Sequence, residues 1–327
     1  MSVWRRTAGF LQRLFRRAPP APGRFSLGQR SSLHGFISVS PAPPWRDYLL
    51  YLPRGHDASR RAPLVVWLHG CQQDPEAFAS GSRIAAVADD RGFLVLLPRQ
   101  NRLANSQRCW NWFDPRTAGG AGEAAIVAAQ VSAVMQKVAV DRRRIYVAGL
   151  SSGGTLAATL ALRAPQLFAG VAVHSATPCG AATNTSTAAR VMAEGPDGAT
   201  DAIAAAARRN APEGARVPAL VIQGSADTTV APVNAVFLAR QFLLLNGLGL
   251  KELPAAPALP SPQRSASVYR DGKYEVGEYY AQGRLAVRLI RVDGLGHAWS
   301  GGDAGLPYFA ARGPNATRLV CEFFGLV

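Results

Sequence analysis

Residues 146–154 read "YVAGLSSGG" and follow the apolar-leaning stretch that ends at Val147. Within them, Gly149-Leu150-Ser151-Ser152-Gly153 fits the spacing G-x-S-x-G. Set between a strand and a helix, that spacing holds a serine hydroxyl on a sharp corner at the carboxyl edge of a sheet. The flanking glycines let strand and helix approach closely, and the turn aims the Ser152 backbone N–H at an incoming oxyanion. An ordinary tight turn would use the same residue types. The apolar run before it and the helical stretch after it favour a nucleophile, Ser151.

A nucleophilic serine needs a base, and the base needs an acid to orient it. In an α/β-hydrolase arrangement these follow in the order serine, acid, histidine. The histidines are His34, His56, His69, His174 and His297. Only His297, in the Gly-rich "DGLGHAWSGG", lies well beyond Ser151 with room for an acid between. Asp227, on the loop after the apolar "VPALVIQG", is the expected acid. Asp293 is its rival, placed only four residues before His297 and less able to face the imidazole. Capping of the next helix is the structural alternative for Asp227. A second oxyanion donor is expected from "WLHGCQQD", as the N–H of Cys71 or Gln72, with Cys71 preferred. His69 then packs in that loop rather than acting as base. Ser151 would attack a carbonyl as His297 takes its proton, the amides of Cys71 and Ser152 would hold the oxyanion, and water would release the acid. No metal or organic cofactor is required.

These residues need a rigid frame. "RDYLLYLP", "PLVVWLHG", "GFLVLLP", "RIYVAGLS", "LFAGVAVHSA", "VPALVIQG" and "LAVRLIRV" read as strands, and "FISVS" as an early partner of "RDYLLYLP". Residues 82–91, 121–137, 153–164, 232–245 and 314–324 read as helices, and "ASVYRDGKYEVGEYY" as a hairpin around Asp271-Gly272. An Ala-rich stretch runs from Cys179 to Arg216, and a Pro-rich loop from Leu253 to Pro262. Alternating strands and helices predict an α/β fold with a mostly parallel central sheet covered on both faces. Residues 24–327 form one catalytic domain in this reading, after a segment over 1–23.

That segment is basic. Trp4, Ala8, Leu11 and Phe15 recur at helical spacing among arginines, which suits weak docking on an apolar surface, with a frayed tail as the plainer alternative. Arg13, Arg16 and Arg17 interrupt any secretion-signal core, which favours the cytoplasm. The net charge is +15, but the first 46 residues hold eight Arg and no acid, leaving 28 basic against 21 acidic residues elsewhere. No nucleic-acid-binding signature accompanies the charge, so no specific nucleic-acid partner is expected. No apolar run reaches the ~18 residues of a membrane-spanning helix. The four cysteines, Cys71, Cys109, Cys179 and Cys321, lack C-x-x-C spacing, which argues against zinc.

The segments "LHGCQQD", "RCWNWF", "GE" at 122–123, "RIYVAGLSSGG", "FAGVAVHS", "GSADTTVAPVN" and "GHAWSGG" stand in the order found in the esterase family of polyhydroxybutyrate (PHB) depolymerases. From about residue 46 onward the chain resembles that family. The resemblance implies an α/β-hydrolase fold and carboxylic-ester hydrolysis, with its triad on Ser151, Asp227 and His297. It implies as substrate hydroxyalkanoate oligomers or polyester, or short-chain esters, with feruloyl or acetyl-xylan esters as the alternative. A serine peptidase of the same fold, or a non-catalytic binder, fits less well. The absence of a recognisable polymer-binding module favours oligomers and small esters over crystalline polymer. The family reading brings Trp110, Trp112 and Phe113 to the mouth of the site, and Trp299 close to it, as substrate contacts; core packing is the alternative for each. It also implies a Cys71–Cys109 disulfide pinning the oxyanion loop, with Cys179 and Cys321 free and buried. "TPCG" departs from the aromatic-containing family version, which puts a pocket contact at Cys179 in doubt. The family's habits and the disulfide lean towards a secreted or periplasmic location. No obligate protein partner is implied.

Overall fold

The computed structural model describes residues 23–27, 46–197, 200–269 and 272–327. The basic segment up to residue 22 and the strand expected at 36–40 lie outside the described residues. In chain order the strands are β1 (Arg24–Leu27), β2 (Tyr48–Leu52), β3 (Ala62–Leu68), β4 (Leu94–Pro98), β5 (Val140–Leu150), β6 (Gly170–His174), β7 (Ala219–Gly224), β8 (Arg264–Val268), β9 (Tyr274–Ala281) and β10 (Arg284–Val292). They form one sheet in the order β1-β2-β4-β3-β5-β6-β7-β10-β9-β8. From β4 to β10 every neighbouring pair is parallel. The pairs at either end are antiparallel.

The strands β3, β4, β6 and β7 are buried along their length because helices cover both faces of the sheet. All seven residues of β3 are buried. Leu64, Val66 and Leu68 join one core layer, while Val65 and Trp67 join the other, as the period of two demands. The first layer packs under helices α4 (Gly122–Lys137), α5 (Ser152–Arg163), α7 (Thr200–Asn210) and α8 (Val233–Leu245). The second packs under α1 (Pro75–Ser82), α2 (Ile84–Arg91) and α9 (Ala316–Phe323). Helix α5 is buried from Ser152 to Leu162, so the turn that precedes it is anchored on all sides.

Some boundaries differ from the sequence reading. The helix expected at 82–91 is preceded by a separate α1, whose N-terminus the Asp74 side chain caps through the Ala77 N–H. Arg83 breaks the two with a φ of 56°. The Ala-rich stretch after Cys179 forms α6 (Thr185–Glu194) and α7, with Asn184 capping α6 in a reciprocal box with Thr187. Strand β2 pairs antiparallel with Arg24–Leu27 on one side and with β4 on the other. All the loops relevant to chemistry leave the carboxyl ends of β3, β4, β5, β6, β7 and β10.

Candidate active site

Ser151 sits between β5 and α5 with φ 56° and ψ −124°, a conformation that costs a non-glycine residue energy and persists only where its surroundings enforce it. They do so closely. A Cβ on Gly149 would stand 2.4 Å from the Gly153 carbonyl oxygen, and one on Gly153 would stand 2.4 Å from that of His69. Strand, helix and the loop after β3 therefore meet backbone to backbone, and only glycine fits at both positions. The Ser151 N–H donates to the His174 carbonyl at 2.9 Å, tying the turn to the end of β6.

Ser151, His297 and Asp227 come together from three loops. His297 Nε2 lies 3.0 Å from Ser151 Oγ, and His297 Nδ1 lies 2.9 Å from Asp227 Oδ2. The other Asp227 oxygen accepts the N–H groups of Thr229 (3.0 Å) and Val230 (2.8 Å). Gln223 Nε2 also donates to Oδ2, at 3.1 Å. Burial works to raise the Asp227 carboxyl, but the His297 bond and charge and the two amides outweigh it and hold it below the usual carboxylate value. The acid thus caps a turn within its own loop, not α8, whose preceding residue is Pro232. Asp293 is exposed and faces Ser225 Oγ at 3.4 Å.

Two other histidines near the site are fully buried. His69 Nδ1 meets the Gly70 carbonyl at 2.8 Å and its Nε2 accepts the Gln100 N–H at 3.2 Å. Burial lowers its pKa to about 4. His174 lies against Trp299, ring centroids 5.1 Å apart, and burial with the nearby His297 lowers its pKa to about 3. Both remain neutral framework groups at ordinary pH.

Facing Ser151, the loop after β3 brings the backbone of Cys71 to the pocket. Gln72 has a φ of 63°, and its N–H donates to the Gln107 carbonyl at 2.7 Å, so of the two amides considered it is committed elsewhere. Cys71 and Ser152 both line the pocket with Ser151, so their amides stay the candidates for an oxyanion pair. Cys71 and Cys109 are joined as a disulfide, with a sulfur–sulfur separation of 2.09 Å. Cys179 and Cys321 are free and buried. The Ser152 hydroxyl turns away from His297: it accepts the Trp110 N–H at 3.3 Å and lies 3.5 Å from the Cys71 sulfur.

A carboxylate hub that sequence reasoning missed supports this loop. Glu123, at the start of α4, accepts from Arg46 Nη2 (3.0 Å), Gln100 Nε2 (2.6 Å), Asn111 Nδ2 (3.0 Å) and the Asn111 N–H (2.7 Å). Gln100 in turn donates to the Cys109 carbonyl at 2.9 Å. The "GE" at 122–123 flagged the residue without assigning it work.

The pocket beside Ser151 has a volume of about 200 Å³. Trp112, Ala176, Thr177, Met192, Val230 and Tyr308 wall it. Of the expected aromatic contacts, Trp112 alone reaches it. Trp110 is fully buried and spends its indole N–H on the His69 carbonyl at 3.1 Å. Trp299 is also core: its indole N–H donates to Thr317 Oγ1 at 3.0 Å, and its ring packs on Trp67 and Phe78. Phe113 stacks edge-on against Trp112, outside the pocket lining. Cys179 faces the Ala118 carbonyl at 3.6 Å and does not line the pocket. Tyr308, unanticipated, bridges the mouth by donating to Gln72 Oε1 at 2.8 Å.

The sheet order, the corner at Ser151 and the loops around it define an α/β-hydrolase fold. Among solved structures, the acetyl xylan esterase from Aspergillus awamori superposes with a TM-score of 0.69 at 20% identity, covering 92% of this chain and all of that one. The family model "Esterase PHB depolymerase" matches residues 46–253, and the chain belongs to that family. It is 34% identical over 201 residues to poly(3-hydroxyalkanoate) depolymerase C of Paucimonas lemoignei, covering 61% of this chain and 48% of that protein. It is 28% identical over 268 residues to feruloyl esterase B of Thermothelomyces thermophilus, covering 77% and 87%. It is 27% identical over 333 residues to poly(3-hydroxybutyrate) depolymerase of Ralstonia pickettii, covering 93% and 62%. The matches thus span less than two thirds of the length of either depolymerase.

Proposed function

We propose that this protein is a serine carboxylic-ester hydrolase that cleaves PHB-type hydroxyalkanoate oligomers or related short-chain esters. The observation that carries the reading is the Ser151–His297–Asp227 chain, 3.0 and 2.9 Å between its members, at the floor of an apolar pocket. Ser151 Oγ attacks the ester carbonyl while His297 Nε2 takes its proton. Asp227 holds the imidazole in the tautomer with the proton on Nδ1 and stabilises the imidazolium. The Cys71 and Ser152 N–H groups receive the oxyanion; a donor of this kind contributes ~3–4 kcal/mol in a well-studied protease. His297 then protonates the leaving alkoxide. Water enters on the same base, attacks the acyl-enzyme and releases the acid with Ser151 restored.

The test is a hydrolysis panel on the purified protein beside Ser151→Ala. It contains p-nitrophenyl esters from acetate to octanoate, a 3-hydroxybutyrate oligomer and methyl ferulate. Ser151-dependent cleavage of the oligomer supports the reading. Cleavage of ferulate but not the oligomer selects the feruloyl or acetyl-xylan alternative, which the match across 87% of feruloyl esterase B favours. Equal activity in both proteins removes Ser151 as nucleophile.

A further inference from the structure

Two buried threonines stand side by side in the pocket wall. Thr155 and Thr177 both line it, and each is only 1% exposed. Thr155 Oγ1 lies 2.9 Å from Thr177 Oγ1, accepts the Thr177 backbone N–H at 3.1 Å, and lies 3.4 Å from the Ser151 carbonyl oxygen. Thr155 thus has one hydroxyl proton and two acceptors for it. If the proton goes to the Ser151 carbonyl, Thr177 donates to Thr155 and keeps its own lone pairs. If it goes to Thr177, the Thr177 proton is left over. In either arrangement the Thr177 hydroxyl retains a hydrogen-bonding capacity that no recorded bond among the described residues takes up.

Around the pair the lining is Trp112, Ala176, Met192 and Val230, with Thr229 and the Tyr308–Gln72 hydrogen bond elsewhere on the wall. A plain acyl chain would seal the Thr177 hydroxyl into a dry pocket with its capacity unused. A hydroxyl on the acyl chain, donor and acceptor at once, would match it in both arrangements. Leaving a buried polar group unpaired costs more than a made bond gains, which is how a site built for a hydroxyl discriminates against the analogue lacking one. The acyl carbon must bond to Ser151 Oγ, and Thr155 sits one helical turn beyond Ser151. A substituent near the acyl carbon is therefore brought towards this pair.

We propose that Thr177, positioned by Thr155, is a specificity-determining residue that binds a hydroxyl on the acyl group, so that hydroxyacyl esters are preferred over plain acyl esters of equal length. This rests on the ester-hydrolase reading above. The test compares kcat/KM for methyl butyrate and for methyl (R)- and (S)-3-hydroxybutyrate in the wild type, Thr177→Val and Thr177→Ser. The expected result is that the ratio of the better hydroxy ester to methyl butyrate falls about tenfold in Thr177→Val and is kept in Thr177→Ser, whatever happens to the separate rates. An unchanged ratio in Thr177→Val overturns the assignment. Inhibition of the wild type by free 3-hydroxybutyrate and by butyrate tests the same point without any variant: the hydroxy acid should bind about fivefold more tightly, and equal inhibition contradicts the role. A wild type inert towards every one of these esters defeats the hydrolase reading itself, a result distinct from hydrolysis without hydroxyl preference.

Discussion

The two sides of the candidate site are built differently. On the oxyanion side, the Cys71 loop is fastened by a disulfide to Cys109, by the Gln72 amide to Gln107, and by Gln73, whose side chain accepts the Gly70 N–H at 2.9 Å and donates to the Pro307 carbonyl at 3.3 Å. Behind it stands the buried Glu123 hub. On the base side, the Asp227 and His297 loops are held by hydrogen bonds and by buried Val230 and Leu295, and no disulfide joins them among the described residues. The Ser225 N–H bonds the Val292 carbonyl, the Ala226 N–H the Leu295 carbonyl, and Ser225 Oγ accepts the Gly294 N–H. The contrast has a physical reason. A backbone donor has no torsions of its own, so its loop must be fixed. An imidazole can settle between its partners by side-chain rotation. Preorganised dipoles contribute to catalysis only when they need not move during reaction.

This comparison can be broken at several points, beginning where the largest effect is expected. Asp227→Asn should lower kcat by ~10⁴-fold with little change in KM, because the imidazole loses its required tautomer, as the corresponding change does in a protease triad. Steady-state kinetics on p-nitrophenyl butyrate measure it. A loss below about tenfold would mean that the base side does not depend on this carboxylate. On the other side, Glu123→Ala leaves Arg46 buried without its carboxylate and should cost ~3–5 kcal/mol of stability, read by urea unfolding. It should also lower kcat, since the 100–111 loop braces Cys71. Full activity in a destabilised Glu123→Ala protein would confine the hub to folding.

Stability should also fall in mild acid. His69 and His174 have folded-state pKa values lowered to about 4 and about 3, so the unfolded chain takes up protons below pH 6.5 that the folded chain refuses. Between pH 6.5 and 5 the loss should be somewhat under ~2 kcal/mol for each histidine, ~3 kcal/mol together. Urea midpoints across that range measure it; a flat profile would show that these imidazoles can protonate in place. The smallest expected effect is on the disulfide. The Cys71→Ser, Cys109→Ser double variant should lose roughly 10–100-fold in kcat, less than deletion of an oxyanion donor, because Gln72 and Gln73 still tether the loop. An unchanged kcat would show that the hydrogen bonds suffice on this side too.

The proposed triad of Ser151, Asp227 and His297 was legible in the sequence because chemistry restricts it. A G-x-S-x-G corner after an apolar strand, one histidine far downstream and one acid after an intervening strand leave few combinations. The preference for Cys71 over Gln72 could not draw on the Gln107 carbonyl, which takes the Gln72 amide across a 35-residue gap in sequence. Trp110 and Trp299 misled because an indole beside a functional motif suits core and pocket alike. What settles each is a distant acceptor for its N–H, the His69 carbonyl and Thr317. The "GE" at 122–123 marked Glu123, but its work was not legible, since its partner Arg46 lies 77 residues away. Met192, Val230 and Tyr308 reach the pocket from three separate loops or helices, a convergence that periodicity does not reveal.

Two adjacent serines offer the most direct test of the account. Ser151 faces His297, while Ser152 spends its hydroxyl on the Trp110 amide. The protein should be inactivated with a fluorophosphonate, digested, and the modified residue located by tandem mass spectrometry, with Ser151→Ala and Ser152→Ala treated in parallel. One adduct per chain is expected, on Ser151, formed in step with loss of p-nitrophenyl butyrate hydrolysis, absent from Ser151→Ala and retained in Ser152→Ala. An adduct on Ser152 or elsewhere, or undiminished hydrolysis by Ser151→Ala, would contradict it.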